Sequence, residues 1–347
     1  MTTSASATER VVPFTTADGH DLNLINVRGI GNRGPVMLSH GAGVRAELFR
    51  PRTQRNIVDV LVDQGYDVWL ENWRASIDPS IAPSDWVLDE AAVYDHPAAV
   101  QKIVDETGAD SVKAIVHCQG STSFCMSAAA GLVPQVDTIL SSASSLLVNV
   151  PRWSAIKLKF AIPIMNKLTD AVDPGQADKP KGKVQKLITP FVKLVHRECD
   201  DTACKMVSFT YGAGKPALWR HENISDAVHH PFIQNEFGRV PVSFFMQIRE
   251  CVANGQLVSV AGFEDLPARF GDQPPKTDAR FVLFTGDKNQ CFDPKGQRRT
   301  YEWLDSLNPG KHALHLFPGY SHLDVFFGER AEHDIFPTLL KELEGGT

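Results

Sequence analysis

With 347 residues, 43% of them hydrophobic, and a net charge of −6, the chain has the composition of a soluble globular protein long enough to bury a large core. Its acidic balance gives no general reason to bind nucleic acid, and no run of about eighteen apolar residues is available to span a bilayer. Six cysteines without framework spacing argue against a disulfide scaffold and for reduced thiols in the cytoplasm.

The start, MTTSASATER, has neither a basic cluster nor an apolar stretch, so a flexible tail over 1–9 is expected rather than a signal peptide. Residues 10–30 alternate apolar and polar around Asp18-Gly19, the pattern of a β-hairpin. A buried strand follows at 35–40 and a helix over 53–64 that stops at Gly65. The next strand is Tyr66–Leu70. A helix over 89–107 has Asp89 as its expected N-cap and Gly108 as its stop. Strands at 112–117 and 136–141 flank a helix over 119–131.

Strands alternating with helices imply a mostly parallel sheet covered on both faces, an α/β architecture. The alternation fails after about residue 145. Residues 146–269 are helix-like and punctuated by Pro163, Pro174, Pro180, Pro190, Pro216 and Pro231. They read as a helical cap inserted over the C-terminal edge of the sheet, where open α/β sheets bind ligands. The core is then 10–145 and 270–347. It resumes with RFVLFT at 280–285, a helix over 295–306, a strand at 312–317 and a final helix over 331–344.

Three windows carry chemistry. VKAIVHCQGSTSFCMSAAAGL (112–132) runs from a β-branched strand through His117-Cys118-Gln119-Gly120 into a small-residue helix. That is the layout of a nucleophile elbow, with Cys118 in the place of serine and Val116 in the place of the first glycine. The plainer reading is a buried core cysteine. PVMLSHGAGVRAELF (35–49) places a glycine turn after an early strand, where a backbone N–H could hold an oxyanion. Ala42 and Gln119 would supply the two donors. HALHLFPGYSHLDVFFG (312–328) offers His322 after a strand and a Pro-Gly turn, the late position a general base requires. A histidine of this kind needs a partner on its second nitrogen. The turn Thr285–Asp293 puts Asn289 in the usual acid position, with its carbonyl expected to accept the Nδ1 proton of His322. Asp287 and Asp293 are the alternatives, and Asp324 is assigned a supporting structural role. A thiol ionises readily, so a Cys–His pair depends less on a carboxylate.

The cap carries two further signals. Arg152, Lys157, Lys159, Lys167, Lys179, Lys181, Lys183, Lys186, Lys193 and Arg197 make it basic, which reads as a solvated face or as contact with an anionic membrane surface or substrate. Phe160, Ile162, Ile164, Met165, Phe191, Phe209, Trp219, Phe244 and Phe245 suggest a pocket for a hydrophobic group, or plain packing. Cys199 and Cys204 are spaced C-x4-C, but no matching His/Cys pair stands beside them in sequence, so no metal is assigned.

The stretches GYDVWLENWRAS (65–76), VYDHPAAV (93–100), TGADSVKAIVHCQGSTSFCMSAAAGL (107–132), ECDDTACKMVSFTYG (198–212), FTGDKNQCFDP (284–294) and FPGYSHLDVFFG (317–328) resemble the α/β-hydrolase domains that bacteria encode fused to, or beside, cholesterol-oxidase-like (GMC-type) flavin oxidoreductases. The elbow cysteine is also locally similar to those of dienelactone hydrolases and polyhydroxyalkanoate synthases. The resemblance implies an α/β-hydrolase fold, roles for Cys118, Asn289 and His322, and an oxidoreductase as a partner. No flavin-binding glycine motif is present in this chain, and no cofactor is expected. The leading expectation is an acyl hydrolase acting on a hydrophobic ester, thioester or lactone of fatty, steroid or terpenoid type through a covalent thioester. An acyltransferase or cyclising enzyme with the same nucleophile is the alternative, and a non-catalytic ligand-binding or partner protein on a hydrolase fold is the third.

Overall fold

A computed structural model of the protein describes residues 7–177, 179–213 and 216–346. Eight strands form one sheet in the order β1 (Thr8–Thr15), β2 (Asp21–Arg28), β4 (Asp67–Asn72), β3 (Pro35–Ser39), β5 (Val112–His117), β6 (Val136–Ser142), β9 (Arg280–Gly286), β10 (Ala313–Phe317). The β1–β2 and β2–β4 pairs are antiparallel and the rest of the sheet is parallel. Strand alternation divides the core in two. Met37, Ala114, Val116 and Ile139 join one buried cluster, and their neighbours Val36, Leu38, Ile115 and Leu140 join the other. Both faces of each central strand are therefore apolar, as the continuous hydrophobic runs require.

Between β6 and β9 the chain leaves the sheet. This cap segment holds four longer helices, Arg152–Met165, Lys183–Val195, Thr202–Tyr211 and Val242–Asn254, in that order. A short antiparallel pair, β7 (Ala171–Val172) with β8 (Val240–Pro241), ties them together and was not visible as a strand signal. Pro163 and Pro190 lie inside the first two helices.

Several sequence expectations change at the level of elements. Thr8 and Glu9 belong to β1 rather than to a tail, while residues 1–6 lie outside the described residues. The expected helix at 53–64 is only Ile57–Asp63, begun by an Asn56 capping box. Asp89 is not an N-cap. It is fully buried, and its carboxylate accepts hydrogen bonds from Gln247 Nε2, Ser259 Oγ and the N–H groups of Val260 and Ala261, at 2.5–2.8 Å. The carboxylate thus binds the cap's last helix and the loop after it to the core. The final helix breaks into Ala331–Asp334 and Phe336–Leu343, because Pro337 at its second position cannot continue an earlier turn.

Candidate active site

Strand β5 ends at His117, and the helix Cys118–Ala130 starts on the next residue. Cys118 has φ 55°, a left-handed conformation that a β-substituted residue adopts only when its surroundings impose it. Glycine at 120 makes the turn feasible: a Cβ there would stand 2.1 Å from the His40 carbonyl oxygen. Gly41 is also close on the other side, since its Cβ would meet Cys118 Cβ at 3.0 Å. The His40–Gly43 turn and the elbow are therefore in direct backbone contact. The His40 carbonyl is fixed by Trp73 Nε1 at 2.9 Å. Val116, in place of the usual glycine, is wholly buried in the core and leaves the elbow intact.

The Cys118 sulfur and a ring nitrogen of His322 lie within 4.8 Å of each other. His322 is buried, and its Nε2 makes no complete hydrogen bond in the resting site. Its Nδ1 is 3.1 Å from Asn289 Nδ2. This reverses the expected orientation of the amide. Asn289 Oδ1 is already engaged by the backbone N–H groups of Cys291 and Phe292, at 2.9 and 3.1 Å. Only the NH₂ remains to face His322 and Thr285 Oγ1. An amide NH₂ can only donate, so Nδ1 of His322 accepts and the ring proton sits on Nε2.

The alternative acids do not reach the histidine. Asp287 is exposed, accepts from Gly319 N–H and pairs with Lys288. Asp293 caps the helix Pro294–Leu307. Asp324 accepts from the N–H groups of Ser321 and Arg220 and from Asn223 Nδ2, so it secures the histidine loop to the cap. Burial pushes its carboxyl up to about 6.

Burial alone would raise the Cys118 thiol, but the site overrides it. A hydrogen bond from the Cys291 thiol, the proximity of His322 and the Gln119 N–H together lower it to about 5. The helix dipole acts in the same direction, because Cys118 stands at the helix N-terminus. Cys291 is held protonated, mainly by donating to Cys118. The His117 ring packs against that of His322 at a 50° tilt with centroids 4.6 Å apart, and burial keeps it well below the usual histidine range.

Cys118 opens onto a cavity of about 280 Å³. Gln119, Cys291 and Phe292 line its floor, and cap residues such as Ile162, Met165, Phe209, Phe244 and Phe245 roof it. The other expected cap aromatics and aliphatics lie elsewhere. Phe160, Ile164 and Phe191 are exposed, and Trp219 is packed in a separate core cluster. On the opposite side of Cys118, Ala42, His117 and His322 share a small void of about 20 Å³, room for one water. Ala42 lines this void beside Cys118, and the Gln119 N–H bonds to the sulfur, so these two residues are the candidate oxyanion donors.

Sequence reasoning missed three residues here. Tyr211 lines both cavities and donates to the Ala42 carbonyl at 3.2 Å. Cys291 follows the Asn289 turn. Lys157, counted only as part of a basic face, reaches inward to the carbonyls of Phe209 and Gly212, and burial brings its ammonium down to about 8. A separate Glu71–His96–Ser123 relay has triad-like hydrogen bonds of 2.7–3.0 Å. It is completely buried and lines neither cavity.

The chain is similar to several known proteins. A profile of the α/β hydrolase fold family matches residues 34–329. Human lipase member K is 24% identical over 358 residues, covering 95% of this chain and 86% of its own. Bovine gastric triacylglycerol lipase is 22% identical over 349 residues, covering 92% of this chain and 84% of its own. A soluble variant of monoglyceride lipase from Saccharomyces cerevisiae shares the fold with a TM-score of 0.61 at 16% identity, over 99% of this chain and 96% of that one.

Proposed function

The chain belongs to the α/β-hydrolase fold family, and from that premise we propose that it is an acyl-transferring hydrolase with Cys118 as nucleophile and a hydrophobic acyl substrate. Relatives named as lipases support a lipase/esterase-type activity on apolar carbonyl compounds. One observation carries the cysteine assignment: a thiol lowered to about 5, at φ 55°, facing both His322 and the mouth of an apolar cavity.

In this reading the thiolate attacks the substrate carbonyl. The N–H groups of Ala42 and Gln119 hold the resulting oxyanion. Collapse expels the leaving group as an anion and leaves a thioester on Cys118. The tautomer of His322 sets the preference. Its Nε2–H can donate a hydrogen bond, but giving the proton away would leave a bare imidazolate, because Asn289 offers Nδ1 no acceptor. Leaving groups that depart as stable anions, thiolates above all, suit the site better than alkoxides. Thioesters are thus favoured over alkyl esters and lactones. A fatty, steroid or terpenoid acyl group suits the cavity lining.

The same feature favours a second reading, acyl transfer. Hydrolysis is completed when water attacks the thioester, the C–S bond breaks to return the Cys118 thiolate, and the acid and a proton go to solvent. Without a base this step is slow, whereas an acceptor that arrives as a thiolate needs none. A role as a non-catalytic partner of an oxidoreductase would leave the lowered thiol without a purpose.

The exposed apolar residues of the first two cap helices support delivery of substrate from a lipid surface. Trp153, Phe160, Ile164, Leu187, Phe191 and Leu194 stand in solvent beside the lysines of the same helices. The direct test is intact mass after incubation with a series of acyl thioesters and oxoesters. An acyl adduct that disappears in Cys118→Ala is expected. A wild-type chain that turns over substrate with no adduct, or a Cys118→Ala chain of wild-type activity, would refute the assignment.

A further inference from the structure

The cap brings together four side chains that are distant from the catalytic cysteine in sequence and in role. Cys199 lies in the connection before the helix Thr202–Tyr211, and Cys204 lies in that helix's first turn. His221 opens the short turn His221–Asn223, and His229 sits in the turn Val228–Phe232. One ligand atom from each falls within 4.8 Å of every other. Among the described residues the set holds only thiols and imidazoles.

Three of the six separations match the edges of a coordination tetrahedron. Cys199 Sγ is 3.5 Å from His229 Nε2, Cys204 Sγ is 3.5 Å from His221 Nε2, and the two Nε2 atoms are 3.2 Å apart. A tetrahedral zinc with Zn–N near 2.05 Å and Zn–S near 2.3 Å would have N···N edges of about 3.3 Å and S···N edges of about 3.6 Å. Two imidazole Nε2 atoms facing each other at 3.2 Å can share one hydrogen, and they are equally well set to share an ion.

The surroundings complete the pattern. The Asp201 N–H donates to Cys199 Sγ at 3.3 Å. His229 Nδ1 meets His230 Nε2 at 3.4 Å, and His230 Nδ1 is 3.5 Å from the Asp201 carboxylate. In this arrangement His229 Nδ1–H can point to His230, which leaves the His229 Nε2 lone pair free to enter the cluster. The Asp201 carboxylate also accepts from Cys204 N–H and Gln234 Nε2.

We propose that Cys199, Cys204, His221 and His229 form a structural zinc site. Binding a zinc(II) ion would convert both thiols to thiolates and release two protons to solvent, with the imidazoles neutral. The site then carries no net charge, which suits its partial burial. Two sulfur and two nitrogen donors in a closed tetrahedron select zinc and leave no position for a substrate. The ion would cross-link four points of a cap segment of otherwise short turns. That segment also holds the catalytic loop: the Leu218 carbonyl accepts from the N–H groups of His322 and Leu323, and Arg220 and Asn223 bind Asp324. Zinc would thereby keep His322 opposite Cys118.

The test is elemental analysis of the untagged full-length chain after dialysis against metal-free buffer. About one zinc per chain is expected, lost in Cys204→Ser and His229→Gln and kept in Cys118→Ser. His230→Ala should keep the ion but weaken its binding about 10-fold. Cobalt(II) added to the chelator-treated protein should give tetrahedral ligand-field bands with thiolate charge transfer, and two protons should be released per ion. The cobalt spectrum requires no variant, so a substituted chain that fails to fold does not weaken the test. Sub-stoichiometric zinc with no tetrahedral cobalt spectrum would overturn the proposal. Zinc lost in Cys118→Ser but kept in Cys204→Ser would also overturn it, since the ion would then belong to His117, Cys118 and His322.

Discussion

At the scale of single residues, the site depends on how three neighbours treat one sulfur. The Cys118 thiol is lowered from an ordinary 9.0 to about 5, so its alkylation by a soft electrophile should follow a pH midpoint near 5. Removing the thiol donor with Cys291→Ala should raise that midpoint by about one to two pH units, the equivalent of one charge-assisted hydrogen bond. A midpoint unmoved by Cys291→Ala would mean that His322 and the helix alone lower the thiol. The same shift has a consequence for stability. A depressed acid stabilises the fold fully above its unfolded value of 9.0, and the contribution is lost as pH falls toward 5. Denaturant midpoints should therefore rise with pH between 5 and 9, and less steeply in Cys118→Ser. Asn289 yields the sharpest substitution. Asn289→Asp keeps the Oδ1 contacts to Cys291 and Phe292 and turns the second atom into an acceptor for His322 Nδ1–H. His322 can then take and return a proton at Nε2. Oxoester turnover should rise relative to thioester turnover, and a ratio that stays constant would exclude this account of the tautomer. Asn289→Ala should cost about 10- to 100-fold in rate, in line with one lost buried hydrogen bond of about 1–3 kcal/mol.

At the scale of elements, the elbow works because β5, the helix after it and the His40–Gly43 turn meet backbone to backbone. Gly120→Ala should test that contact most severely, since its Cβ would fall 2.1 Å from the His40 carbonyl oxygen. Overpacking of this sort costs about 1–3 kcal/mol. The unfolding free energy from urea titration should fall by that amount, and activity should fall further because the two proposed oxyanion donors are forced apart. A Gly120→Ala chain of unchanged stability would show that the turn can relax. The sequence identified this element from a strand, a glycine and a run of small residues. It could not show that valine at 116 is harmless, because that depends on the space between the strand and the packed helices.

At the scale of the molecule, the cap and the sheet act together. Helices from residues 152 to 254 roof Cys118 from above, while Asp89, buried in the core, binds the last of them through Gln247. The outer surface of the cap is apolar and basic at once. Leu187 is 77% exposed and Phe191 54% exposed on the helix Lys183–Val195. The double substitution Leu187→Glu with Phe191→Glu should reduce turnover of substrate presented in anionic vesicles about 10-fold or more. That figure corresponds to the loss of roughly 1.5–3 kcal/mol per buried side chain, in part. Turnover of a short water-soluble thioester should be unchanged. Equal losses on both substrates would locate the effect in the fold rather than at a lipid surface. Among the described residues no helix is long and apolar enough to cross a membrane, so contact of this kind would be at the surface.

Much of this was legible in the sequence, because short-range physics writes it there. Short continuous apolar runs determined the central strands, alternation determined the hairpin before them, a glycine after a β-branched strand determined the elbow, and the order of Cys118, Asn289 and His322 along the chain determined which loops had to meet. What the chain order cannot contain is the direction of a side chain once its partners are chosen. Asn289 stands where the sequence put it, but two backbone N–H groups claim its carbonyl and turn its NH₂ toward His322. Asp89 has the position of a helix cap and instead becomes a buried acceptor for the loop beyond the last cap helix. The clearest case is the pair Cys199 and Cys204. In sequence they lack a matching pair, because His221 and His229 follow after sixteen further residues and belong to different turns. Only the folded cap brings the four ligand atoms within one coordination sphere. Spacing along a chain predicts a site when one element holds all its ligands, and tertiary packing decides it when each ligand comes from a different one.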